Sequence, residues 1–232
     1  MLGSRPLQEL RSHEIDTLYS HLEGKLAPRT AHHVHMILGA CLGTAHRKGL
    51  IAANPMVRVE RVPSPSEADH GMTLDADQLR AVVDGFRSST LFSVVAIAAL
   101  AGLRRNEILG LQWSDLDVAN KTLRIERAVE DTKGFGLRLK EPKSARHKRT
   151  IVIDDELIAL LCTERDRHLR ILAGVPDGMA VDLSLVKLPV GSLMFPKPPG
   201  RGRDFVPTAL RRPRNVTKEL ARKAKVLGFS GL

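Results

Sequence analysis

Apolar residues recur every three or four positions through the first sixty residues, the spacing of helices with one buried face. Ser12 is predicted to cap a helix that turns Ile15, Leu18 and Leu22 inward. Pro28-Arg29-Thr30 opens a longer helix, with Thr30 as its expected N-cap and Val34, Ile37, Leu38, Cys41, Leu42 and Ala45 as its apolar stripe. Gly49 and Asn54-Pro55 end the pattern. A third helix is predicted from Asp75 to Phe86, capped by Thr73 or Asp75, with Leu79, Val82, Val83 and Phe86 inward. From Leu91 to Ala101 the apolar run shows no periodicity, which predicts a helix buried on all sides and too short to span a membrane. Gly102 is placed to stop it as a left-handed C-cap. A second helical run over 106–111 leads to Trp113, the one tryptophan.

After Asp117 the period changes from 3.6 to 2. Residues 122–129 alternate apolar and polar, and 137–140 and 149–153 supply two more strands. The fold class expected is mainly α with a small three-stranded antiparallel sheet, whose hairpin tip at 141–148 is strongly basic. Asp154-Asp155 then opens a long helix with Leu157, Ile158, Leu160, Leu161, Leu169 and Leu172 on its inner side. Residues 174–208 read as loop with an apolar Ser192-Leu-Met-Phe patch, and Arg211 to Gly228 as a basic helix. The Pro- and Ser-rich stretch 61–72 is the expected linker, separating a helical unit at 1–60 from a larger domain at 73–232.

Charge changes the picture. Lys and Arg number 36 against 26 Asp and Glu, a formal +10, and the sequence pI is near 10.1. That excess points to a polyanionic partner, most simply nucleic acid, although a generally basic protein has the same composition. Aromatics are 3% of residues, so base stacking on aromatic platforms is not expected and phosphate contacts should dominate. Cys41 and Cys162 lie far apart without metal-ligand spacing and read as packed reduced thiols. His32, His33 and His35 share one helix, but no carboxylate or thiol completes a ligand set, so no metal site is expected there. With no signal peptide or membrane span in evidence, a cytoplasmic, nucleoid-associated protein is expected.

The candidate chemistry sits at the corner after Gly102. Arg104 and Arg105 occupy a helix–helix turn on a rigid scaffold, where a guanidinium is suited to bidentate capture of a phosphate, or else to capping a carbonyl at the surface. The wording shifts the balance toward the first. Ala-Gly-Leu-Arg-Arg-Asn-Glu-Ile-Leu-Gly-Leu-Gln-Trp-Ser-Asp-Leu-Asp, residues 101–117, closely resembles the first-arginine motif of the tyrosine recombinases, the phage-integrase family. By that resemblance Arg104 is catalytic, gripping the scissile phosphate, and Glu107 supports it. The phrases Leu-Gly-Ser-Arg-Pro-Leu, Ala-Pro-Arg-Thr and Ala-Asn-Pro likewise resemble part of the family's helical, SAM-like core-binding clamp. Lys143, in Glu-Pro-Lys-Ser, matches the family's hairpin lysine, a general acid for the departing 5′ oxygen; read without the family it is a solvated basic loop that grips phosphates. Arg105, Lys140, Arg146, Lys148, Arg29 and His33 are the further residues expected to contact DNA.

The resemblance implies covalent catalysis through a phosphotyrosine, with no metal or nucleotide cofactor, and duplex DNA as partner, the full-length family protein assembling as a tetramer on it. It covers the whole chain but part of the family protein. The family's His-x-x-Arg motif and its nucleophilic tyrosine have no match, since the sole tyrosine, Tyr19, lies in the clamp unit and reads as a packing residue. The expectation is therefore a site-specific recombination and integration protein, truncated at both ends, that binds DNA and does not cut it unaided. The alternative is a DNA-binding regulator that kept the fold and shed the chemistry.

Overall fold

In a computed structural model, residues 3, 5–64, 73–141, 148–176, 178–200 and 204–229 are described, and the chain divides into two compact units, Met1–His70 and Gly71–Leu232. Most of the expected linker, 65–72, lies outside the described residues.

The first unit is built from α1 (Ser12–Leu22), α2 (Pro28–Arg47) and a 3-10 turn at Pro55–Arg58. Ile15, Tyr19, Leu42, Ala45 and Ile51 form its core. Ser12 turns out to be the first helical residue and not the cap: its hydroxyl donates to the Pro55 carbonyl at 2.8 Å, and the start of α1 is closed by Glu14 accepting the Arg11 N–H at 3.0 Å. Likewise α2 begins at Pro28, whose fixed φ and missing N–H suit a first helical position, so Thr30 lies inside the first turn. The expected apolar stripe on α2 is half right. Leu42 is buried, but Ile37 is 65% exposed and Cys41 faces solvent, because the core of this small unit reaches only one narrow side of the helix. Tyr19 is 4% exposed, and its hydroxyl bonds His35 Nδ1 at 3.0 Å. Burial, with a smaller push from Asp16, raises its pKa. His32 Nδ1 meets the Pro63 carbonyl at 2.8 Å.

The second unit runs α3 (Ala76–Gly85), α4 (Phe92–Ala101), α5 (Arg105–Ile108), β1 (Leu116–Asp117), β2 (Thr122–Ile125), β3 (Ala128–Thr132), β4 (Gly136–Lys140), β5 (Arg149–Val152), α6 (Asp155–Ala173) and α7 (Pro213–Val226). Asp75 and Gln78 cap the start of α3 reciprocally, each side chain accepting the other's backbone N–H, at 2.8 and 3.0 Å. Asp154 accepts the Leu157 N–H to open α6. The core gathers Phe86, Leu91, Ile97, Ile108, Leu109, Leu111, Leu123, Ile125, Leu157 and Leu161. Residues 93–97 of α4 are buried as the sequence predicts, but Ala98 and Leu100 are exposed near its end. The apolar patch at 192–195 is pulled into this core by β-like bonds, Trp113 N–H to the Ser192 carbonyl at 3.1 Å and Met194 N–H to the Leu111 carbonyl at 2.9 Å. Trp113 is further fixed by donating its indole N–H to His168 Nδ1 at 3.3 Å.

The strands pair differently from expectation. A three-stranded antiparallel sheet is present, but its order is β1-β2-β5, while β3 and β4 form a separate two-stranded ribbon. The segment 122–129 is therefore two strands, broken at Glu126-Arg127. The cause lies in the corner behind it. Asp115 is 1% exposed, and its Oδ2 accepts both the Gln112 N–H, at 2.8 Å, and the Arg127 guanidinium. Turning Arg127 inward to meet that buried carboxylate interrupts the in–out alternation a continuous strand needs. Gly110 permits the close passage: a Cβ there would lie 3.0 Å from the Arg127 carbonyl oxygen and 3.1 Å from Ala128 Cα, both backbone atoms that cannot swing away.

Gly110→Ala is accordingly expected to destabilise the fold by about 1–3 kcal/mol, the usual cost of overpacking. Thermal unfolding checks it. A variant with the parent's midpoint would show that the corner has more room than these distances allow.

Candidate phosphate-binding site

Gly102 closes α4 in the left-handed region, φ 60° and ψ 26°, with its N–H on the Ala98 carbonyl at 3.1 Å. That turn sends Leu103 into the core, at 6% exposure, and leaves Arg104 outward in an extended backbone conformation. Glu107, three residues on, is buried beneath it, at 8% exposure. Its Oε2 accepts the Arg104 backbone N–H at 3.0 Å, and its Oε1 meets Arg104 Nη1 at 3.3 Å. Arg149, at the start of β5, then forks onto the same carboxylate, Nη1 to Oε1 at 3.0 Å and Nη2 to Oε2 at 2.9 Å. A carboxylate has about four lone-pair positions, and here each is used.

These contacts decide the charge state. The Arg149 hydrogen bonds are the largest influence on Glu107 and, helped by the Arg104 N–H, outweigh burial to hold its pKa at about 2, against an ordinary 4.5. The Arg104 side chain remains 75% exposed, with a single long bond to its own acid. A guanidinium anchored through its backbone and open at its tip is what a phosphate ligand requires.

Arg104 borders a cleft of about 420 Å³ that Glu107, Arg127, Glu130 and Lys140 also line. Lys140 Nζ bonds Glu130 Oε1 at 2.8 Å, while Arg138 takes Glu130 Oε2 at 2.8 Å. Lys140 and then Arg138 lower the Glu130 pKa to about 2. Lys148, at the foot of the 141–148 connection, pairs with Glu141 at 2.8 Å. Lys143 and Arg146 lie outside the described residues. Arg105 points another way, its guanidinium engaged by Asn106 Oδ1 and by Thr217 of α7. Arg29 and His33 are both exposed on α2 in the first unit.

Three contributors escaped the sequence reading. Arg149 looked like one more basic residue beside a basic hairpin; the clue available was that Glu107, in the apolar phrase Ile108-Leu109, would need a counter-charge on burial. Arg211 is 7% exposed and bonds Glu219 Oε2 at 3.0 Å and the Thr90 carbonyl at 3.3 Å, tying α7 to the entry of α4. His168, 1% exposed, joins Trp113 to Glu164, its Nε2 3.4 Å from Oε1. Neither has a periodic signal: His168 lies on a helix rich in charge, and Arg211 lies in the loop just before α7.

The chain is similar in sequence to proteins named as a tyrosine recombinase and an integrase, and in fold to solved integrases. No family model matches the sequence. A tyrosine recombinase XerC-like protein of Caldanaerobacter subterraneus subsp. tengcongensis is 26% identical over 173 residues, 68% of this chain and 44% of the relative. An integrase of Saccharopolyspora erythraea is 30% identical over 134 residues, 56% of this chain and 30% of the relative. The chain thus spans less than half the length of these curated relatives. Among solved structures, the Tn1549 transposon integrase in complex with a circular intermediate DNA matches with a TM-score of 0.68 at 18% identity, over 100% of this chain and 70% of that one. A lambda integrase dimer bound to a COC' core site matches with a TM-score of 0.63 at 14% identity, over 99% and 69%. At these identities the structural matches establish the fold. Among the described residues no helix is long and apolar enough to cross a membrane.

The depressed Glu107 pKa has a definite sign. A carboxylate at about 2 when folded, and near 4.5 otherwise, contributes stability that is complete above pH 4.5 and is lost as pH falls toward 2. The contribution at neutral pH is on the order of 3 kcal/mol. Glu164 behaves alike: burial alone would raise it, but His168, Arg167 and Ser93 hold it at about 2. Urea unfolding at pH 7 and at pH 3 should show Glu107→Gln less stable than the parent at pH 7 and the gap narrowing at pH 3. A gap unchanged across that range would mean Glu107 is not held ionised by its arginines.

Proposed function

We propose that this chain is the DNA-gripping portion of a tyrosine-type site-specific recombinase or integrase, with duplex DNA as its partner. The observation that carries the reading is the Arg104 corner: Glu107 has both oxygens committed, and the Arg104 guanidinium projects outward, 75% exposed. In that role Arg104 donates two N–H groups to the non-bridging oxygens of a phosphodiester and stabilises the charge that builds there during attack. Lys143 acts as general acid, protonating the 5′ oxygen as a tyrosine oxygen displaces it from phosphorus. Lys140, Arg146 and Lys148 add positive charge near Lys143 in sequence, and Arg105, Arg29 and His33 extend the contact to the DNA backbone. The reaction calls on side chains alone, without a metal or nucleotide. Copies assemble on the DNA, as the lambda integrase dimer is bound to its core site, and the site of action is the nucleoid.

The nucleophile is the missing member within these 232 residues. Tyr19 is the one tyrosine, and its hydroxyl is buried against His35 in the first unit. In-line attack needs a phenol within near-attack distance of the phosphorus. That burial also favours a second reading, a regulator that binds DNA and does not cleave it.

Duplex affinity should fall steeply with salt, the log–log slope being about −0.9 per phosphate neutralised. Replacing Lys140, Lys143 and Lys148 together by Ala should flatten that slope; an unchanged slope removes residues 140–148 from the interface. On nicked suicide substrates the chain alone should trap no covalent adduct. Adducts that form, and vanish in Tyr19→Phe, would overturn the assignment of Tyr19 as a packing residue. Adducts that appear when a tyrosine-bearing C-terminal segment is supplied in trans would favour the recombinase over the regulator.

A further inference from the structure

Among the described residues Glu107 is the acid paired with Arg104, and what keeps it from capturing Arg104 outright is a third residue. Glu107 Oε1 is already 3.3 Å from Arg104 Nη1, and an unshared carboxylate would close a bidentate pair with it. Arg149 occupies that geometry instead, with two bonds of 3.0 and 2.9 Å on the two oxygens. Its backbone is fixed by the sheet, where Arg149 pairs with buried Ile125 of β2. We propose that Arg149 is the positioning residue for Arg104: by saturating Glu107 it lets that acid hold the Arg104 backbone while leaving the guanidinium available to a phosphate.

The inference deepens the proposed function and rests on Arg104 as the phosphate ligand. Two consequences follow from the charges. Arg104, Glu107 and Arg149 together carry a net +1, so the corner remains attractive to an anion although its acid is buried. Without Arg149 the remaining Arg104–Glu107 pair is neutral, and a phosphate would have to compete with a buried carboxylate for the same guanidinium.

The test is a set of paired substitutions read by duplex DNA affinity and by NMR relaxation of the Arg104 side-chain Nε. In the parent chain Arg104→Ala should weaken binding about five- to tenfold, the worth of a charge-assisted contact at a surface. In the Arg149→Ala background the same change should cost less than about twofold, because Arg104 is already captured. Adding Glu107→Gln to Arg149→Ala should restore the Arg104 contribution, since a neutral amide oxygen still accepts the Arg104 N–H but does not bind its guanidinium as an ion. A merely structural loss at Arg149 is not repaired by that second change. The Arg104 Nε should meanwhile become more rigid in Arg149→Ala than in the parent. If Arg149→Ala does not fold, Arg149→Lys, which supplies charge without the fork, should give an intermediate Arg104 contribution and intermediate rigidity. An Arg104 whose mobility and binding contribution are the same with and without the Arg149 fork would overturn the proposal. Arg104→Ala without effect in the parent, alongside a rigidified Nε in Arg149→Ala, would instead sink the phosphate reading and leave the positioning contact standing.

Discussion

One buried carboxylate governs the arrangement of this domain. Glu107 sits at 8% exposure between the backbone and side chain of Arg104 and the fork of Arg149. An ionised acid in such a place is tolerated only where its lone pairs are met, and a partner removed from it leaves an uncompensated charge in low dielectric. The constraint reaches outward in both directions. It fixes the corner after α4, because the Arg104 N–H must point at the acid, and it fixes the start of β5, because Arg149 must arrive from the sheet side. Glu107, in the first turn of the short helix α5, Arg105–Ile108, folds back onto Arg104, the residue just before the helix.

Around that contact the rest of the domain acts as a frame. Gly102 in the left-handed region makes the turn, Gly110 lets the strand pass close behind it, and the buried Asp115 draws Arg127 inward and splits the sheet. Trp113, His168 and the 192–195 segment brace the far side of the same corner. Each of these fixes backbone, whereas the basic side chains in and beside the cleft are held mainly by ion pairs, Lys140 and Arg138 on Glu130 and Lys148 on Glu141. Exposed pairs of that kind are weak and screened by salt. The cleft therefore sets an arginine anchored through its backbone beside a lysine held by a weak, exposed pair.

How much of this the sequence discloses depends on the range of the interaction. The glycine stop after α4 and the start of α6 at Asp154-Asp155 are local and appear where the pattern puts them, while the apolar run of α4 is fully buried only over 93–97. The Arg104–Glu107 spacing is local too, and the motif resemblance finds it. The caps of α1 and α2 fail because Ser12 has a better partner in the distant Pro55 carbonyl, and because Pro28 takes the first helical position ahead of Thr30. The split of 122–129 and the role of Arg149 fail for one shared reason: both answer a buried acid, Asp115 or Glu107, from a remote part of the chain. Alternation predicts which face a strand residue takes, and carries no information on a charge waiting behind the sheet.

The central claim is that Arg104 is held open for a phosphate by an acid that Arg149 has saturated. A crystal structure of the chain with a duplex tests it most directly. The account predicts the Arg104 guanidinium within hydrogen-bonding distance of two oxygens of one phosphate, released from Glu107 Oε1, with the Arg149–Glu107 fork unchanged. A duplex gripped elsewhere, with Arg104 still turned onto Glu107, would contradict it.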